Sequence, residues 1–218
     1  MTDFVSAPLA IALEDNAGAI FLRSMDMRAE LKIPALTELV LSRGSHSDRA
    51  DGVCLMEAVA WFAGEEHSDA PACCSPVLAA FFRSWNDGMR TDDERAQLKQ
   101  YVPLLVGTAA PPSVEQKRGW MALDWLMRVQ SVEWLHQAGL DHHATALAAL
   151  PEINNGPIDD ESRKRIQAAG AAARAATGDA AEAAAEAAAG AAAKTQLEPS
   201  VEVLQASAHN LARNMIDA

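Results

Sequence analysis

The sequence predicts an all-α protein: a compact helical domain, then a long alanine-rich helix, then an amphipathic C-terminal helix. Three observations carry this. Apolar residues recur at helical spacing, with capping residues before them and glycine or proline after them. Strand signals are scarce, with one Tyr in the chain and no clean period-two alternation. From Asp159 to Gln196 the chain is mostly alanine, the strongest helix former.

Residues 1–30 form an N-terminal segment of uncertain structure, with short apolar runs cut by Glu14 and Asp15. A helical domain is expected over 31–155. "PALTELVLSR", residues 34–43, reads as its first helix, with Pro34 in the first turn and Gly44 past the end. Residues 53–63 read as a second, closed by Gly64. "SPVLAAFFRSWNDG" gives a third, with Ser75 as cap and Pro76 at the first helical position. "TDDERAQLKQY" begins behind Thr91 with three acids in its first turn, where the helix dipole favours them. Pro103 interrupts it. In "SVEQKRGWMALDWLMRVQ", Ser113 and Gln116 have capping-box spacing, and apolar residues on nearly every side predict a central, buried helix. "SVEWLHQAG" and "DHHATALAALP" read as shorter helices before a turn-rich linker.

An alanine-rich arm is expected over 156–198. Gly170, Arg174, Gly178, Glu182, Glu186, Gly190 and Lys194 interrupt the alanines every fourth residue. A four-residue step overshoots one turn by about 40°, so this row spirals around the helix and marks no single wet face. Some 38 residues from Asp159 to Gln196 would span about 57 Å. Such a helix serves as a spacer, or packs closely against another helix. Pro199 is expected to stop it. The segment 199–218 then places Val201, Leu204, Ala208, Leu211 and Met215 on one seam, which predicts docking back onto the rest of the chain.

Net charge is −12 and the pI about 4.8. That balance argues against direct nucleic-acid or anionic-membrane binding, both of which select Lys and Arg. No signal peptide and no apolar run long enough to span a bilayer are read in the sequence. Three cysteines, an odd number with two of them adjacent, predict a reduced, cytoplasmic setting.

One stretch carries candidate chemistry. On a helix starting near Asp51, Cys54, Glu57 and Trp61 share a face, and Cys54 falls in the first turn, where the dipole lowers a thiol pKa. The loop "EEHSDAPACC" follows with His67, Asp69, Cys73 and Cys74, and His46 lies just upstream. Three readings are open. Cys54 is a small buried hydrophobe, and His67 and Asp69 tie down the loop. Or His46, Cys54, His67 and Cys73 bind zinc, with Glu57 as an alternative ligand, although no CxxC or HExxH spacing is present. Or Cys54 is a nucleophile with His46 or His67 as its base. The tryptophans at 61, 85, 120, 125 and 134 are expected mostly in the core.

"RGSHSDRADGVCLMEAVAWFAGEEHSDAPACCSPVLAAFFRSWNDGM" and "VPLLVGT" resemble a family of uncharacterised proteins from bacteria and their phages. Its pattern is a GxH segment, a CxMEAxA helix, a GExHSDxPxC loop and a helix ending RSWND. Many members also end in alanine-rich repeats and a segment like "VEVLQASAHNLARNMI". Glu66 stands where relatives often have Pro, which bears on loop stiffness. The family has no established activity, so the resemblance implies no chemistry.

The function expected is non-enzymatic: protein–protein binding or assembly, with self-association included, and no cofactor. A narrower version is a phage-type inhibitor of a host nucleic-acid or defence complex, since an acidic protein can occupy a basic surface. The alternative is a zinc protein or a thiol enzyme using Cys54 and His67.

Overall fold

A computed structural model describes residues 35–154, 156, 158–187 and 192–218. The segment 1–30 and the side chains of the alanine row from Arg174 to Lys194 lie outside the described residues. Among the described residues the structure is helical without strands, and no helix is long and apolar enough to cross a membrane. The chain divides into two units: residues up to Cys73 with Phe82–Val106, and Cys74–Phe81 with Gly107–Ala218.

The first unit is built on α1, Leu55–Ala63. Gly64 ends it in the left-handed region at φ +83°, where glycine carries no Cβ penalty. Residues Leu55, Met56, Ala58, Val59 and Ala60 are buried. Helix α2, Pro76–Gly88, starts behind Ser75, whose hydroxyl accepts the Leu78 N–H. Its residues from Phe82 onward belong to this unit. Helix α3, Asp92–Ala96, is capped by Thr91 and leads through a 3₁₀ turn, Gln97–Tyr101, into α4, Val102–Leu105. Helix α1 packs on α4, and Phe82 and Tyr101 meet with ring centroids 4.9 Å apart.

One predicted helix is largely absent. Only residues 35–38 make a helical turn, and the chain then runs non-helically. Ser42 N donates to the Val53 carbonyl at 2.8 Å, and Val53 N donates back to Ser42 Oγ at 3.0 Å. This pairing of two segments outcompetes helix propensity, and it leaves Leu36 and Leu41 both buried.

In the second unit, α5 (Pro112–Trp125), a π-turn (Leu126–Gln130) and α6 (Ser131–Gln137) run as one interrupted helix. The Leu126 carbonyl accepts both the Ser131 N–H and the Ser131 hydroxyl. The predicted capping box at Ser113 and Gln116 is not formed: the helix starts at Pro112, already inside that spacing, without a side-chain cap. Nor is this helix buried. Arg118 alone of α5 is buried, and Leu126 and Trp134 are exposed. All five tryptophans keep some exposure, and Tyr101 and Phe82 fill the core positions expected of them.

Helix α7, Asp141–Ala148, packs against α6. Helix α8, Asp160–Ala187, is the alanine-rich arm, and its opening turns are docked. Ile166, Ala169 and Ala173 pack against Leu135, Ala144, Leu147 and Leu150. Helix α9, Ala192–Ile216, passes through Pro199, where the sequence predicted a stop. Proline's fixed φ suits a helix, and the anchored residues beyond it, Leu204, Ala208, Leu211 and Met215, outweigh the missing N–H. That seam docks on α5 and α6.

Candidate functional site

The site begins with a helix cap. Cys54 is the N-cap of α1, with extended backbone at φ −80° and ψ 172°. Glu57 Oε2 accepts the Cys54 N–H at 2.7 Å, and Cys54 Sγ accepts the Glu57 N–H at 3.5 Å, a reciprocal capping box. Glu57 does more than cap. Its Oε1 accepts the His46 backbone N–H at 2.6 Å, and His46 Nδ1 lies 2.9 Å from Oε2. His67 Nε2 stands 3.7 Å from Oε1 and 3.2 Å from the His46 carbonyl. The carboxylate is 1% exposed. Burial alone would raise its pKa, but the N–H groups of Cys54 and His46 and the His46 side chain outweigh burial and hold it below 4.5.

An ionised Glu57 has no proton to give, so the proton between the two residues sits on His46 Nδ1. His46 Nε2 lies 3.1 Å from Ser42 Oγ, whose hydroxyl is also within reach of the Val53 carbonyl at 3.3 Å. The order Ser42, His46, Glu57 is that of a nucleophile, a base and an orienting acid. The surroundings make it a lock instead. Ser42 Oγ also accepts the Val53 N–H, and Gly52 lies directly against the Ser42–His46 bond. A Cβ at Gly52 would come within 2.5 Å of the His46 ring and 2.8 Å of Ser42 Oγ, so the Gly52 backbone closes that side of the pair.

Of the residues singled out in the sequence, His46, Glu57 and His67 converge. Cys54 joins them through its backbone and its place in the cap. The expectation for its thiol is reversed. Cys54 precedes the helix and is buried, and burial pushes its pKa up to about 12. Burial therefore favours the protonated thiol over the thiolate. Cys73 is placed differently: its N–H donates to Glu65 Oε1 at 2.8 Å, and Glu65 Oε2 takes the Ala72 N–H. Both Glu57 oxygens hold backbone N–H groups and both His46 nitrogens are engaged. Among the described residues no three His, Cys, Asp or Glu side chains are arranged to hold a metal. Ser42 and Gly52 were not singled out in the sequence, because Ser42 read as helix and the pairing with Val53 is non-local.

The second unit offers a different kind of site. A groove of about 460 Å³ is lined by Met127, Trp134, Leu135, Leu147 and Ile166 together with the small residues Gly170 and Ala173. Trp134 is 42% exposed at its edge.

No protein-family model, no curated protein and no solved structure matches the chain.

Proposed function

We propose that the protein is a non-enzymatic binding protein that seats an amphipathic helix of a partner in the groove of its second unit. The observation that carries this reading is the groove itself, lined by five large apolar side chains together with glycine and alanine. Small lining residues let a helix backbone approach closely, and methionine adapts to the incoming side chains.

Charge selects the partner. This unit carries 14 Asp and Glu against nine Lys and Arg, and the whole chain is at −12. A partner helix with a basic polar face is steered in, and an acidic one is repelled. A host nucleic-acid machine presents basic surfaces of this kind, which supports the inhibitor version of the same reading.

The test uses a fluorescent amphipathic peptide of leucine and lysine, and the same peptide with glutamate in place of lysine. The basic peptide is expected to bind, and Trp134→Ala to weaken it about tenfold, or about 1.4 kcal/mol. The acidic peptide is expected not to bind. Binding that ignores Trp134→Ala, or no binding at all, would sink the reading.

A further inference from the structure

A second cavity in the same unit, about 650 Å³, has a different lining. Trp120 and Trp125 from α5 face Asn210 and Asn214 from α9, with Gln116 and Asn154 completing the wall. None of these four amide side chains hydrogen-bonds to a described residue. Elsewhere in the unit an amide such as Gln137 is engaged, by Ser200. The indole N–H of Trp120 is buried without an acceptor among the described residues. The four amides are solvent-exposed and available to a ligand, and the buried Trp120 indole N–H is the group that calls for an explanation, of which a ligand is one. Trp125 is held in place: its Nε1 donates to Ser207 Oγ at 3.0 Å, and Phe81 meets its ring edge-to-face at 6.0 Å. The π-turn begins at the next residue, and such turns recur at functional sites.

We infer that this cleft binds a neutral saccharide. A cavity of this volume, with aromatic walls and a few convergent polar groups, has the make-up of a small-molecule site. Each amide offers two donors and an acceptor, and each sugar hydroxyl is both, so four amides from three segments can pair hydroxyls around a ring. The apolar face of a pyranose can lie against an indole. Charge excludes a phosphorylated ligand: Lys117 is the cation in the lining, and Asp124 and Glu152 stand there against it. This site is distinct from the apolar groove and does not depend on what binds there.

The experiment is a ¹⁵N NMR titration of the full chain with maltose, cellobiose and diacetylchitobiose, each to about 10 mM, where a millimolar site is mostly filled. Glucose 6-phosphate serves as the anionic comparison. At least one disaccharide is expected to move the Trp120 indole resonance, assigned with Trp120→Phe, along a saturating curve. Asn210→Ala with Asn214→Ala, both at exposed helix positions, is expected to weaken that binding at least tenfold while the backbone spectrum stays in place. Three results would overturn the inference. The Trp120 resonance could stay still with all three sugars. The shifts could persist undiminished in the double variant. Or glucose 6-phosphate could bind at least as tightly as the disaccharides.

Discussion

His46 Nδ1 stands 2.9 Å from Glu57 Oε2, and around this contact one carboxylate holds together a loop and a helix start. The Cys54 N–H, the His46 N–H and the His46 ring all donate to Glu57. Glu57→Gln keeps the shape but replaces one acceptor oxygen with a donor, so a buried N–H loses its partner. An unsatisfied buried donor costs about 1–3 kcal/mol. Urea unfolding near neutral pH is expected to show a loss of about 2–4 kcal/mol for this variant. A loss within error of zero would remove Glu57 from the role assigned to it.

The same carboxylate predicts a pH dependence. Its folded pKa is held below the ordinary 4.5. A depressed pKa stabilises the fold in full above the unfolded value, and that contribution is lost as pH falls through the folded value. The gap between the parent chain and Glu57→Gln should therefore be constant from neutral pH down to about 5 and narrow below it. Urea midpoints for both proteins across that range check this, and a gap that widens in acid contradicts it.

Gly52 is the next position to test. Its φ of +147° disfavours any side chain, and an added Cβ meets the His46 ring at 2.5 Å. The ring cannot step aside, because Ser42 and Glu57 hold its two nitrogens. Gly52→Ala is expected to cost roughly 2–4 kcal/mol. Gly44 also has a positive φ, +82°, but nothing lies within 4 Å of its added Cβ. Gly44→Ala should therefore cost only about 1 kcal/mol. Equal losses at the two glycines would mean that backbone conformation alone matters and the packing against His46 does not.

What was legible in the sequence was local. Ser75, Thr91 and Gly64 act within one turn of the elements they bound, and all three work as their residue types imply. Glu57 could be placed beside Cys54 by helical spacing. Its other partners arrive from residues 42–53, which fold back on α1, and no spacing rule announces that. Ser42 shows the limit best: propensity placed it in a helix, while Val53, eleven residues on, decided its conformation. The cleft amides come from three separate segments, so no contiguous motif could have shown them.

Cys54 gives a prediction about access and charge together. Its thiol is buried and its pKa is raised to about 12. Iodoacetamide at mildly alkaline pH should leave Cys54 unmodified in the folded protein, while the half-buried Cys73 reacts earlier. Modification of Cys54 should follow the urea unfolding curve. Mass spectrometry of timed digests reads both sites. Native-state alkylation of Cys54 at a rate matching Cys73 would contradict the buried cap.

Arg118 does for the second unit what Glu57 does for the first. It is buried on α5, and its Nε donates to the Met215 carbonyl at 2.8 Å near the end of α9. Its Nη1 donates to the Thr108 carbonyl at 2.7 Å and to Glu115 Oε1 at 3.0 Å. Glu115 in turn accepts the Ser75 hydroxyl. A guanidinium spans these acceptors because its donors are fixed in a planar fork. A lysine ammonium is one point on a flexible stem. Arg118→Lys is therefore expected to abandon the Met215 carbonyl and cost about 2–4 kcal/mol. The loss should be local before it is global. Amide exchange in the last turns of α9, around Leu211 to Ile216, should quicken well before exchange in α7, because the contact broken first is one that ties the end of α9 to α5. If both helices lose protection together, or the variant unfolds at the parent's urea midpoint, Arg118 is not the fastening that its geometry describes.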